Sequence, residues 1–288
     1  MTDIKSRLRA DLLLLLVAVL WGSAFVVQRI AAAKLGVFMF TGLRFLLGVV
    51  LLFPWLRGRG RYLTQKKAVL AALAGVVLFC GSLFQQWGLK YTTAGNAGFI
   101  TGLYVVLVQV ILAIGWREKF RATVLIACLF SAVGLFLLSV QGRIALNIGD
   151  VLELVGAFIW AGHVILVGWL TRQSDALALS VVQALVVGIL GLSASAFFEG
   201  FRFSGITSVW WTILYTGIFS VAIGYTLQFI GQKTAPPTDA AIIMSSEAVI
   251  AALSGWTFLD ERLNRLQILG CGLIFLSMIL AQVGKKNQ

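Results

Sequence analysis

Residues 12–27 read LLLLLVAVLWGSAFVV, a run without one charged side chain, entered through Asp11 and left through Gln28 and Arg29. Residues 151–170 read VLELVGAFIWAGHVILVGWL and are entered through Asp150. Neither run alternates as a half-buried strand does, and neither carries the broad polar stripe of a helix lying on a soluble core. A helix needs about 20 mostly apolar residues to cross a hydrocarbon layer. Stretches of that length recur along the whole chain, at about 11–31, 35–56, 68–89, 95–116, 122–141, 151–171, 176–198, 208–231, 239–258 and 265–284. The loops between them are short, and the longest, at 57–67 and 141–150, are too small to be domains. The expected fold is an all-α integral membrane protein of ten transmembrane helices.

Composition agrees. The 288 residues are 60% hydrophobic and 12% charged, whereas soluble domains are about a quarter charged. The net charge of +12 would suggest a nucleic-acid partner in a soluble chain. Here the basic residues sit in short loops between apolar runs, and no basic patch is interleaved with aromatics. The expected partners are the lipid bilayer and a small molecule, not nucleic acid. Cys80, Cys128 and Cys271 fall inside apolar runs and none belongs to a CxxC, so neither a disulfide framework nor a metal site is expected. Lys5, Arg7 and Arg9 before the first run resemble the start of a signal peptide. The run is too long for one and lacks a clean cleavage site, so it is read as the first membrane helix.

The basic residues also suggest an orientation. With the N-terminus cytoplasmic, 15 Lys and Arg fall inside and 7 outside, Arg44 lying within a helix. That excess places both termini in the cytoplasm of a bacterial-type inner membrane. The first half supplies the bias; from Arg143 onwards the count is 4 against 4.

The halves match when overlaid. At an offset of 139, Asp11 falls on Asp150, Trp21 on Trp160 and Arg44 on Gln183. At 143, Gln85 falls on Gln228, Gly88 on Gly231, Lys90 on Lys233, Asn96 on Asp239 and Glu118 on Glu261. The expected units are residues 1–146 and 147–288. Five spans in each is an odd number, so the second half would start on the opposite side of the membrane. Such inverted repeats around a midplane site are a recurring transporter design. Gly98-x-x-x-Gly102 fits close approach of two helices.

Several stretches carry a family likeness. WGSAF at 21–25, Arg44 in the second span and ITGLYVVLVQVILAIGWREKF at 100–120 resemble the EamA-type members of the drug/metabolite transporter superfamily, and so do GAFIWAGHVILVGWLTR at 156–172 and SSEAVIAALSGWTFLDERL at 245–263. The resemblance covers nearly the whole chain, in two copies. It implies ten helices, a central cavity and secondary transport, often export of amino acids or related metabolites. Where the family often has proline, in the middle of the fourth helix and after the Glu of the ninth, this chain has Gln109 and Ala248. The Gly-Glu that often ends the ninth is Asp260-Glu261. Straighter fourth and ninth helices are expected to follow.

The candidate substrate-binding residues are Trp21, Gln85, Tyr104, Trp160, His163, Tyr225, Gln228 and Glu247. Glu247 lies mid-span, where a lone charge costs about 2.5–3.5 kcal/mol on insertion scales. It should face the protein interior, as a contact for a substrate amine, a proton carrier or a structural hydrogen-bonding group. Arg44 reads either as its ion-pair partner, as a carboxylate ligand or as a structural cation; the neighbouring Phe40 and Phe45 offer it no obvious partner. His163 shares a helical face with Glu153 and Trp160 and is a natural proton switch or a packing residue. Gln85 and Gln228 suit either a cavity wall or interhelical hydrogen bonding. Trp21, Trp160, Tyr104 and Tyr225 suit an apolar or ammonium-bearing ligand, or packing alone. Trp55, Trp116, Trp210, Trp211 and Trp256, near span ends, read as interface anchors. Asn96 and Asp239 read as helix caps, and Glu118 and Glu261 as solvated helix ends.

No nucleotide-binding G-x-x-x-x-G-K-[ST] and no H-E-x-x-H occurs, and no catalytic residue or cofactor is expected. Gradient-driven transport is the reading these features favour, with proton coupling through Glu247 or His163. A passive facilitator or exchanger, and a membrane enzyme acting on lipid-linked substrates, are the alternatives. One chain is long enough to enclose a pathway, so a monomer suffices, and the oligomeric state stays open.

Overall fold

The computed structural model describes residues 4–56, 64–116, 122–139, 148–201, 203, 205–262 and 264–283. Among them every regular element is helical: α1 (Ile4–Ala32), α2 (Val37–Leu52, prolonged by a tight turn over Phe53–Leu56), α3 (Gln65–Gly88), α4 (Ala94–Gly102), α5 (Tyr104–Trp116), α6 (Ala122–Ser139), α7 (Ile148–Leu170), α8 (Ala176–Phe198), α9 (Ile206–Tyr215), a π-helical stretch over Thr216–Tyr225, α10 (Thr226–Gln232), α11 (Pro237–Met244), α12 (Glu247–Leu259) and α13 (Arg265–Val283). Eight helical segments are long and apolar enough to cross a bilayer, among them Ile4–Ala32, Ala94–Gly115, Ile206–Gln232 and Pro237–Leu259. Where the fifth and tenth spans are expected, α6 and α13 hold shorter apolar stretches, Leu125–Gly134 and Ile268–Ser277. Arg57, Arg59, Arg61, Arg117, Glu118, Lys119, Arg121, Arg143, Arg202, Lys285 and Lys286, and the join at 146/147, lie outside the described residues.

The first helix begins seven positions before the expected Asp11. Arg7 explains the extension: its guanidinium lies 3.0 Å from Asp11, one turn on, and 3.0 Å from Asp239 of α11. The packing partners come in corresponding pairs. α1 lies against α12 and against the segment running from α9 to α10; α7 lies against α4–α5 and against α3. α2 packs on α8, and α6 on α13.

Small residues set these contacts, because lipid gives apolar helices no reason to pair and close backbone approach must supply the attraction. A Cβ added at Gly191 of α8 would stand 2.7 Å from both Cα and N of Gly42 in α2. One at Gly98 of α4 would stand 2.8 Å from the Ala251 Cβ of α12, so the first glycine of the 98/102 pair serves the expected close contact. The end of the pair at which α2 begins and α8 finishes is tied by Glu199, whose carboxylate accepts from the backbone N–H of Phe38 (3.1 Å) and Met39 (2.9 Å) at the start of α2. Anions are favoured at helix N-termini.

The fourth and ninth spans are broken, contrary to the straightness expected from their missing prolines. The first breaks at Leu103, between Gly102 and Tyr104, and the second at Ser245 and Ser246, between Met244 and Glu247. Proline is not the cause. Short i→i+3 bonds replace the α pattern, from Leu103 N to Ile100 O, Val106 N to Leu103 O, Ser246 N to Ile243 O and Ala248 N to Ser245 O. In the ninth span the serine hydroxyls donate to the carbonyls of Ile242 and Ile243, each at 2.8 Å, a local bond that bends helices. The two breaks coincide at the offset of 143.

Adding a side chain at the α2–α8 crossing tests this packing. Gly191→Val forces the two backbones apart, and overpacking of this kind costs about 1–3 kcal/mol. The melting temperature of the detergent-purified protein should fall, whereas Gly162→Val, with nothing near the added Cβ, should change it little.

Candidate functional site

Tyr104 and Glu247 are the first residues after the two breaks, and they meet: the Tyr104 hydroxyl lies beside the Glu247 carboxyl. Around them is a cavity lined by Trp21, Phe25 and Gln28 of α1, Arg44 of α2, Gln85 of α3, Thr101, Tyr104, Trp160 and Val164, Ser220 and Tyr225 of the π-helical stretch, Gln228 and Glu247. Seven of the eight candidate substrate-binding residues and Arg44 are among them. The space open to the centre of a water molecule is about 30 Å³, enough for water and too little for a metabolite without side-chain movement.

The walls are aromatic. Trp21 and Tyr225 have ring centroids 5.0 Å apart, Trp160 stacks on Tyr225 at 6.5 Å, and the two tryptophans are 6.5 Å apart. Each indole N–H is used: Trp160 donates to Gln85 Oε1 at 3.1 Å and Trp21 to the Ser220 carbonyl at 3.1 Å. In contrast to these buried rings, Trp55, Trp210, Trp211 and Trp256 are exposed on the outside of the bundle, as interface anchors are. The Trp116 side chain lies outside the described residues.

Arg44 does not pair with Glu247. Its Nη1 donates to Gln28 Oε1 at 2.5 Å, and its guanidinium carbon lies 5.2 Å from the ring centroids of both Phe40 and Phe45. The phenylalanines that seemed to offer nothing therefore supply cation–π contacts on this buried charge. Gln28 went unnoticed because it sits at the end of an apolar run, where a polar residue reads as a boundary. Among the described residues no ion pair reaches Glu247.

His163 is buried and is not part of the cavity wall. Its Nε2 is 2.8 Å from Gln183 Oε1, and its ring meets Trp160 and Tyr225 edge-on. Gln183 is the repeat counterpart of Arg44, so each of these two positions reaches a polar residue on the preceding span.

The span ends also differ from expectation. Thr93, not Asn96, caps α4, accepting from Asn96 N at 3.0 Å. Asp239 sits inside α11 and binds Arg7. Glu261 is no solvated end: it accepts from the N–H groups of Ala94 (3.2 Å) and Gly95 (3.3 Å) and lies 3.9 Å from Arg29. At the start of α7, Asp150 accepts from Thr92 at 2.6 Å. The three cysteines are free, and the described residues hold no cluster able to ligate a metal.

This bundle has known counterparts. The EamA-like transporter family matches the chain twice, over residues 8–140 and 147–282. The chain belongs to the EamA-like transporter family. An uncharacterized transporter of Archaeoglobus fulgidus is 34% identical over 277 residues, 96% of this chain and 87% of that protein. The uncharacterized inner membrane transporter YedA of Escherichia coli is 26% identical over 282 residues, 93% of this chain and 88% of its own. A solved structure titled only "Crystal structure of protein" superposes with a TM-score of 0.80 at 20% identity, covering 96% of this chain and 97% of that one; it shares the fold. The EamA protein described here is thus a multi-pass membrane transporter of the drug/metabolite transporter superfamily.

The Arg44–Gln28 contact makes a specific prediction for this EamA member. Removing either partner leaves a buried polar group unsatisfied, so Arg44→Met and Gln28→Leu should each lower the detergent melting temperature. The double variant should lose less than the summed losses, with a coupling of about 0.5–3 kcal/mol. Additive losses in a double-mutant cycle would show that the pair carries no coupling.

Proposed function

We propose that this protein is a secondary active exporter of small zwitterionic metabolites, with hydrophobic and aromatic amino acids as its first candidates. It works by alternating access between two inverted five-helix halves, residues 1–146 and 147–288, with ten spans in all and both termini cytoplasmic. One observation carries the reading: both halves contribute corresponding residues to a single buried cavity that combines an acid, a base and aromatic walls. Glu247 takes the substrate ammonium, Arg44 its carboxylate, and Trp21, Trp160 and Tyr225 its side chain. Gln85 and Gln228 complete the polar contacts. Broken helices at such a site are a recurring transporter feature, because the backbone groups they free can face a ligand. A proton gradient supplies the energy, with Glu247 exchanging a proton for the substrate amine.

Proteoliposomes test this reading. Internal unlabelled L-phenylalanine should accelerate entry of the labelled compound, a trans-acceleration that a pore does not show. Glu247→Gln should abolish gradient-driven uptake and Trp160→Ala should weaken substrate binding; unchanged pH dependence in Glu247→Gln would remove that carboxyl from the coupling step. The inverted arrangement has its own check. Lys90 and Lys233 are exposed repeat counterparts, so in a background without the native cysteines, Lys90→Cys and Lys233→Cys should react with an impermeant maleimide from opposite faces of the membrane. Labelling from one face for both rules out the inversion.

A further inference from the structure

Glu153 lies one turn beyond Asp150 on α7 and is fully buried. Its Oε2 accepts from Thr101 at 3.0 Å, while its Oε1 has no hydrogen-bond partner. Among the described residues no cation lies within ion-pair distance of it. The titratable groups facing it are Asp150 on its own helix and Glu247 on α12. The parts of α3 and α4 against this half of α7 present Gly88 and Thr101, neither of them titratable.

The other half of the chain shows what packing alone requires here. At the offset of 139 the counterpart of Glu153 is Leu14, and at 143 the counterpart of Thr101 is Met244. The environments correspond closely: a Cβ added at Gly88 would strike Glu153, its Oε1 at 2.7 Å, and one added at the equivalent Gly231 would strike Leu14, its Cγ at 2.8 Å. Leu14 and Met244 are both fully buried. Two apolar side chains therefore serve in one half where an acid and a hydroxyl stand in the other. A carboxyl group held between helices with no cation is expensive to keep charged, and binding a proton removes that expense.

Thr101 also lines the central cavity, together with Glu247. On the other side of Glu153, Asp150 and its partner Thr92 reach the end of α7 and the α3–α4 loop. We infer that Glu153 is a proton-binding site beside the cavity, in a polar line running from Thr92 and Asp150 through Glu153 and Thr101 to Glu247. This inference rests on the transport reading for its purpose. A proton arriving at the α7 end bonds to the Glu153 carboxylate. On release that O–H bond breaks, and the proton passes by way of the Thr101 hydroxyl and cavity water to the Glu247 carboxylate, where it displaces the substrate ammonium. One proton changes carboxylates: Glu247 becomes neutral, Glu153 is left as the anion until the next proton arrives from the α7 end, and the ammonium leaves as the cation it was. In the orientation proposed above this line opens to the outside, the side from which a proton enters in exchange for an exported solute.

The experiment compares wild type with Glu153→Gln, which keeps the shape, and Glu153→Leu, which copies the other half. In proteoliposomes with equal pH on both sides, counterflow of L-phenylalanine should persist in both variants, because Glu153 does not line the cavity. Phenylalanine accumulation driven by an imposed pH gradient should be lost in both and partly regained in Glu153→Asp. In ligand-free protein in lipid, a pH jump should produce an infrared carbonyl band of a protonated carboxyl in the wild type that is missing in Glu153→Gln. Full gradient-driven accumulation in Glu153→Gln, or an infrared difference spectrum unaltered by that substitution, overturns the inference. Absence of phenylalanine counterflow in the wild type counts against the substrate reading instead, and the infrared comparison still decides whether Glu153 binds a proton.

Discussion

Hydrocarbon offers no hydrogen bonds, and every polar group placed inside this bundle answers to that fact. The helices satisfy their own backbones. Several side chains find protein partners across helices: Arg44 on Gln28, Gln183 on His163, Gln86 on the Gln28 carbonyl, Gln232 on the Val164 carbonyl; the Glu153 Oε1 does not. These bonds link α1 to α2 and α3, and α7 to α8 and α10, while the small residues Gly42, Gly191 and Gly98 bring α2 close to α8 and α4 close to α12. The breaks in the fourth and ninth spans follow the same rule. Their freed carbonyls are taken up by short backbone bonds and, in the ninth span, by serine hydroxyls, so the breaks leave no row of unsatisfied groups.

Much of this was legible from residue order. Apart from the start of α1, the lengths of the apolar runs locate the helices within a few positions, and the pairing of Trp21 with Trp160 and Gln85 with Gln228 points to residues that do gather at one cavity. What was not legible depends on side-chain reach across space. A count of neighbours along the chain gives Phe40 and Phe45 no part in holding Arg44, because a cation–π contact needs the helical turn that puts both rings beside the guanidinium. Missing prolines suggest straight helices, yet Ser245 and Ser246 bend one of them by a local bond with no strong sequence signature. Glu261 looks like a surface charge until the fold carries the start of α4 up to it. His163 is on the expected face of α7, but its ring packs on Trp160 and Tyr225 and takes no part in the cavity wall.

The duplication also gives the molecule its own internal control. The tryptophans and glutamines that both halves keep, Trp21 with Trp160 and Gln85 with Gln228, line the cavity. Where the halves differ, the difference marks what a shared architecture does not require. Tyr104 opposite Glu247 and Leu14 opposite Glu153 are such differences, and both put an acid in one half alone.

The span from Ile206 to Gln232 is wound as a π-helix over Thr216–Tyr225, while its counterpart, Gln65–Gly88, is α-helical throughout. In the wider coil each amide reaches one carbonyl further back than in an α-helix. That coil carries Tyr225 as its last residue, and Gln228 follows one turn on. The indole of Trp21 grips the coil at the Ser220 carbonyl, so a tryptophan in the first half of the chain fastens the twist of a helix in the second. A contact from the first half of the chain thus reaches the very span that carries Tyr225 and Gln228, two side chains of the cavity wall.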